Sequence, residues 1–415
     1  MCIRDSLFIL ALININECLP RKVNYSLFAD DLAIYTRGNN IETLSNLLQR
    51  SISKLEQWYK SRDLKFSTAK TKAIIFSRKT VIPTTLNIHL NNTPILLASK
   101  ATFLGLTFDQ RLTWKQHIKS LKQNCLIRMN LLKTMSRKSW GVSRKLLLRF
   151  YQIYVRSIMD YGCSIYSAAK TSLIKKLDTV QNTAIRISTG AFTTSPIWNL
   201  HADTALLTLS HHRHRHYVTL VQYAKIRNDR NNINYYRTLH SPYSHQTILS
   251  FGSRCQALLQ KYKIVLPDDN KVPLQQIKNH ILTCMQEKFQ EEWTQQATSS
   301  CTRLRMLKPE INRGWQVEHL NNRKNEVILA RLRIGHTNFT HSPYFTNPEP
   351  PECEHCSNPR LTVSHILNTC PRYATSRREI YRKTATEDSD IMEDTPNKVD
   401  LLFSFLHQTA LYELL

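Results

Sequence analysis

The spacing of apolar residues changes period along the chain. Val23, Tyr25 and Leu27 alternate with Asn24 and Ser26, which is the period of a strand. Leu32, Ala33, Ile34 and Tyr35 form a second extended run, and Arg37-Gly38-Asn39-Asn40 ends the unit. Ile41, Leu44, Leu47, Leu48, Ile52, Leu55 and Trp58 then recur at steps of three and four. That spacing predicts a helix with one apolar face, capped by Asn40 and with Glu42 in its first turn. Short strands follow at Ala73 to Phe76, at the alternating Leu86, Ile88 and Leu90, and at Ile95 to Leu97 beyond an Asn91-Asn92-Thr93-Pro94 turn. Phe103-Leu104-Gly105-Leu106 reads as one more strand. Strands and a helix in this order predict an α+β region over roughly the first 110 residues.

From Trp114 the period is helical. Ile118, Leu121, Cys125, Met129 and Leu132 make one stripe, with Lys115, Lys119, Lys122, Arg128 and Lys133 around it. Further helices are predicted from Ser143 to Met159, through Leu173, Leu177, Val180, Ala184 and Ile187, and from Leu274 to Trp293. The polar run His211-His212-Arg213-His214-Arg215-His216 reads as a solvated helix face or an RNA-backbone contact, with metal binding as the alternative. Leu7 to Ile13 is too short to span a bilayer and lacks Ala-x-Ala cleavage chemistry, so a buried helix or strand is expected there. No internal repeat is apparent.

Charge narrows the choice of partner. The 57 Lys and Arg outnumber 31 Asp and Glu, a formal +26, which attracts polyanions and makes their binding salt-dependent. Nucleic acid is the partner this favours. A membrane surface is the rival, but no basic amphipathic helix supports it. Seven of the ten cysteines are scattered singly and three cluster, which fits a reducing compartment, nucleus or cytoplasm, and not a secreted disulfide framework.

Two constellations carry chemistry. Phe28-Ala29-Asp30-Asp31 sits at the tip of the first predicted hairpin. Phosphoryl transfer by two divalent ions needs hard oxygen ligands on a rigid support, and adjacent carboxylates at a turn supply them. Asp is also an ordinary turn residue, so the pair alone decides little. The second is Cys353-x2-Cys356-x8-His365-x4-Cys370, three thiolates and one imidazole, a full tetrahedral shell for Zn²⁺. Free thiols with a surface histidine are the competing reading, and His355 is an alternative ligand.

These motifs and their surroundings resemble the reverse transcriptases of non-LTR retrotransposons, of the jockey and I-element kind. The aromatic-Ala-Asp-Asp turn matches Phe28 to Asp31, the helix ending near a Trp matches Leu44 to Trp58, and Lys70-Thr71-Lys72 matches a Lys-Thr-Lys strand start. Phe103-Leu104-Gly105 matches the hairpin that positions the primer end. Arg331-Leu332-Arg333-Ile334-Gly335-His336-Thr337 and Cys370-Pro371-Arg372-Tyr373 are typical of the C-terminal segment.

The resemblance implies an RNA-directed DNA polymerase. Asp30 and Asp31 would hold Mg²⁺ or Mn²⁺, and Lys70 or Lys72 would help protonate the leaving pyrophosphate. A solvated strand-end lysine is the competing reading for either. The implied partners are an RNA template, a DNA primer and deoxynucleoside triphosphates, with no membrane. Template RNA at Arg331 and Arg333 is expected, against a purely structural zinc clip. The implied layout is a partial palm over residues 1–110, a helical thumb over 111–200, a helical connector over 201–325, a zinc-knuckle segment over 326–380 and a tail over 381–415. The first catalytic motif, with a further metal-binding aspartate, has no match upstream of the hairpin. Asp5 lacks strand context, and no ribonuclease H pattern occurs over 200–310. A chain truncated in this way is expected not to polymerise by itself.

Overall fold

The computed structural model describes residues 12, 14–226, 251–266, 272–296, 302–311, 315, 322–341, 351–356, 358–392 and 394–415. Most of the Leu7 to Ile13 run, and Asp5, lie outside them. The chain divides into two compact units, residues 1–120 and 121–415.

The first unit is α+β. Strands β1 (Asn24–Phe28) and β2 (Asp31–Tyr35) pair antiparallel with Phe28 opposite Asp31, so only Ala29 and Asp30 form the loop. Ala29 takes φ 49°, the left-handed conformation so tight a loop demands. Helix α1 (Ile41–Lys60) follows, and Asn40 Oδ1 accepts from the amides of Glu42 and Thr43 as the pattern predicts. Leu27, Leu32 and Ile34 of the hairpin pack on Leu55 and Tyr59 of α1. That contact fixes the hairpin to the helix.

The remaining strands are shorter than the pattern predicts. β3 (Lys72–Ala73) pairs parallel with β6 (Leu96–Leu97), and β4 (His89–Leu90) pairs antiparallel with β5 (Thr93–Pro94). The run to Phe76 does not continue as a strand; Phe76 is 51% exposed and meets only the edge of the Phe108 ring, with centroids 6.3 Å apart. β7 (Lys100–Phe103) and β8 (Leu106–Asp109) form a hairpin. Leu104 and Gly105 are its two-residue loop, with φ 47° and 73°, and not the interior of a strand.

Beyond β8 every regular element among the described residues is a helix or helical turn. Asp109 opens α2 (Lys115–Met135): its carboxylate accepts from the amides of Arg111, Thr113 and Trp114. The predicted stripe is buried throughout, from Ile118 at 1% exposed to Leu132 at 0%. The second predicted helix runs as α3 (Arg144–Phe150), a wider π turn over Tyr151–Arg156, and α4 (Ser157–Asp160). α5 (Thr171–Thr189), α6 (Leu209–Ile226) and α7 (Leu274–Gln295) build the middle of the second unit.

One sequence reading is corrected here. His211, His212 and Arg213 are buried and form no solvated face. Asp160, Asp178 and Tyr262 meet the run from neighbouring segments, which periodicity within one helix cannot reveal. Within the segment read as a C-terminal tail, a helix packs into the core. α9 (Pro396–Gln408) buries Leu402, Phe405 and Leu406 against Ile328 and Leu332 of α8 (Arg323–Ile334) and against Val363, Ile366 and Leu367. Among the described residues no helix is long and apolar enough to cross a membrane.

Candidate polymerase hairpin and metal centre

The tip of the β1–β2 hairpin presents Asp30 in the loop and Asp31 at the start of β2, both exposed, next to a Phe28 ring that is 65% exposed. Lys70 and Lys72 are exposed around the start of β3. Among the described residues no third carboxylate gathers with Asp30 and Asp31. Phe103, Leu104 and Gly105 sit at the β7–β8 bend. Lys115, Lys119 and Lys133 stand exposed along α2, whereas Arg128 donates to the Tyr154 carbonyl and lies over the Tyr154 ring.

The cysteine-histidine motif closes on itself. One ligand atom from each of Cys353, Cys356, His365 and Cys370 lies within 4.8 Å of the others. A turn brings Cys356 back to Cys353, with the Cys356 amide donating to the Cys353 carbonyl. His365 begins a wide π turn over His365–Thr369, and Cys370 ends it, its amide donating to the His365 carbonyl. Cys353 and Cys370 have their sulfurs 3.9 Å apart, and Cys356 Sγ lies 3.2 Å from His365 Nε2. Zinc bonds of about 2.3 Å to sulfur and about 2.0 Å to nitrogen would separate tetrahedral ligands by about 3.5–3.8 Å. The donor set and spacing therefore fit zinc. His355 is exposed and does not join the group.

Electrostatics act in opposite directions on the two buried thiols. Burial resists ionisation of Cys353, but the His355 and Cys356 amides and the neighbouring thiols outweigh it and hold its pKa below the usual value. Burial, then the Cys353 charge beside it, pushes Cys370 up to about 11. Burial and then Arg377 lower the His365 pKa, favouring the neutral imidazole a metal needs. Thr369 Oγ1 lies 3.2 Å from His365 Nδ1, which leaves Nε2 facing the sulfurs.

Sequence reading missed Arg377. It is 1% exposed, donates to the Thr384 carbonyl, and reaches the carbonyls of Ile366 and Cys370. It thereby braces the turn that carries two ligands. An arginine shortly after the last cysteine was the available signal, but its burial was not.

Arg331 and Arg333 are not placed as an RNA surface would place them. Arg333 is 2% exposed, pairs with Asp394 at 2.9 Å and lies 3.6 Å over the Trp315 ring. Arg331 donates to the carbonyls of Gly190 and Leu415 and lies over Phe192. Arg333, expected at the template, is here paired inside the protein. α8 is packed on several sides, so its arginines face protein.

About half of this chain is similar to the RNA-directed DNA polymerases of non-LTR retrotransposons. The probable RNA-directed DNA polymerase from transposon BS of Drosophila melanogaster is 30% identical over 201 residues, 48% of this chain and 22% of that protein. The corresponding protein of the X-element, also from Drosophila melanogaster, is 24% identical over 193 residues, 46% of this chain and 21% of its own length. The Pol polyprotein of the type-1 retrotransposable element R1 of Bradysia coprophila is 28% identical over 139 residues, 34% of this chain and 14% of that protein. The chain spans about a fifth of the length of the first two relatives. No family model matches it, and no solved structure matches it.

Proposed function

We propose that this chain carries part of an RNA-directed DNA polymerase, with Asp30 and Asp31 as two of its metal-binding carboxylates. The observation that carries the reading is the β1–β2 hairpin, packed on α1, which holds adjacent exposed carboxylates at its tip, Asp30 in the two-residue loop and Asp31 at the start of β2. Mg²⁺ or Mn²⁺ held there would neutralise charge on the phosphate being transferred. Lys70 or Lys72 would supply a proton to the leaving pyrophosphate. Phe103, Leu104 and Gly105 would support the primer end, and the exposed lysines of α2 would follow the duplex backbone of template RNA and DNA primer. Deoxynucleoside triphosphates would be the substrates. Cys353, Cys356, His365 and Cys370 would hold zinc and stabilise the C-terminal core.

Among the described residues Asp30 and Asp31 have no third carboxylate beside them, and two carboxylates alone hold divalent ions poorly, since Mg²⁺ gives up its water reluctantly. The chain by itself is therefore a nucleic-acid binder that does not extend a primer. RNA binding at increasing salt tests this. The affinity should fall linearly on a log–log plot. It should be unchanged in Asp30→Asn and weakened in a Lys115→Glu, Lys119→Glu, Lys133→Glu variant. Failure to bind RNA at low salt would overturn the reading.

A further inference from the structure

We propose that Asp160, His212 and His216 form a second metal-binding site, for a divalent first-row ion of the zinc kind. The residues come from two segments. Asp160 ends α4, while His212 and His216 stand one turn apart on the same face of α6. Histidines at i and i+4 point to one side of a helix and chelate naturally.

The distances fit an ion. His212 Nε2 lies 2.9 Å from Asp160 Oδ2 and 3.1 Å from His216 Nε2, and His216 Nε2 lies 3.8 Å from Asp160 Oδ2. Three ligands bound at about 2.0–2.1 Å around tetrahedral zinc stand about 3.3 Å apart, inside this range. The second oxygen of Asp160, Oδ1, is buried and has no hydrogen-bond partner. A buried carboxylate oxygen left in that way costs free energy unless something positive meets it. The His216 side chain is 40% exposed, which gives an ion a route in and leaves a coordination position for water.

Two cations oppose loading. Arg156 Nε lies 3.8 Å from Asp160 Oδ2, and Arg215 Nη2 lies 3.3 Å from His212 Nδ1. When Nε2 of His212 holds an ion, its Nδ1 carries the proton, so Arg215 must turn away. Arg215→Gln removes that conflict and a positive charge, and should tighten the site.

The test is zinc stoichiometry of the full chain by equilibrium dialysis at pH 7.5, compared with His216→Gln. The readout is the difference between the two, so it does not depend on the thiolate site or on polymerase function. His216 is the most exposed of the three ligands, and circular dichroism checks that its variant folds. We expect one zinc fewer per chain in His216→Gln. Equal stoichiometry would overturn the site and leave an Asp160–His212 hydrogen bond as its only role. Cobalt gives a second readout on the unaltered chain. Ions at the thiolate centre absorb by sulfur charge transfer, and a further equivalent at Asp160, His212 and His216 adds only weak visible bands. Loss of those bands in His216→Gln supports the site, and their absence in the unaltered chain contradicts it.

Discussion

Gly190 shows how one residue carries a tertiary constraint. It ends α5 at φ 70°, and a Cβ built there would stand 2.6 Å from Val327 Cγ2 on α8. Gly190→Ala should therefore cost at least about 1–2 kcal/mol from the left-handed backbone alone, read as a lower midpoint in urea. Arg333 makes a different case. Its guanidinium is paired and stacked in the interior, so Arg333→Ala should destabilise by about 3 kcal/mol or more while the folded fraction keeps its RNA affinity. A loss of RNA binding without loss of stability would restore Arg333 to the template surface. His201 bonds to the Leu206 carbonyl and to Asn182, and burial lowers its pKa to about 4. His211 and His336 are lowered to about 4 as well, again by burial first. The unfolded chain, with histidines near 6.5, binds these protons sooner. Stability should be full above pH 6.5 and fall as the pH drops towards 4, as pH-dependent thermal melts will report.

Elements were legible where local pattern decided them. The stripe from Ile118 to Leu132 was read from spacing and is buried along its length. The Asn40 cap was equally readable, because the side chain and the amides it caps are two and three residues apart. Strand lengths were not, since a strand's extent depends on ladder partners far away in sequence, as Leu96–Leu97 is for Lys72–Ala73. The His211 to His216 run was misread because its burying partners lie 35 to 52 positions away in sequence. The C-terminal helix was missed for the same reason. The Cys353 to Cys370 spacing was legible as a ligand set, while the packing that supports it was not. Phe405 lies at 0% exposed in the core shared by that turn and α9. Phe405→Ala should cost about 3–5 kcal/mol, and chelating zinc should lower the melting temperature of the unaltered chain. No response to a chelator would remove the zinc role.

On the scale of the whole molecule, charge and carboxylate count point to the same behaviour. A net +26 supports salt-sensitive binding to nucleic acid. The described residues bring Asp30 and Asp31 to one hairpin tip without a third acidic ligand. The most direct measurement is primer extension on an RNA template with Mg²⁺, by the purified chain beside Asp30→Asn. The account predicts no extension by either protein, with RNA still bound at low salt. A template-dependent product made by the chain and lost in Asp30→Asn would contradict it, because the site would then be complete within these 415 residues.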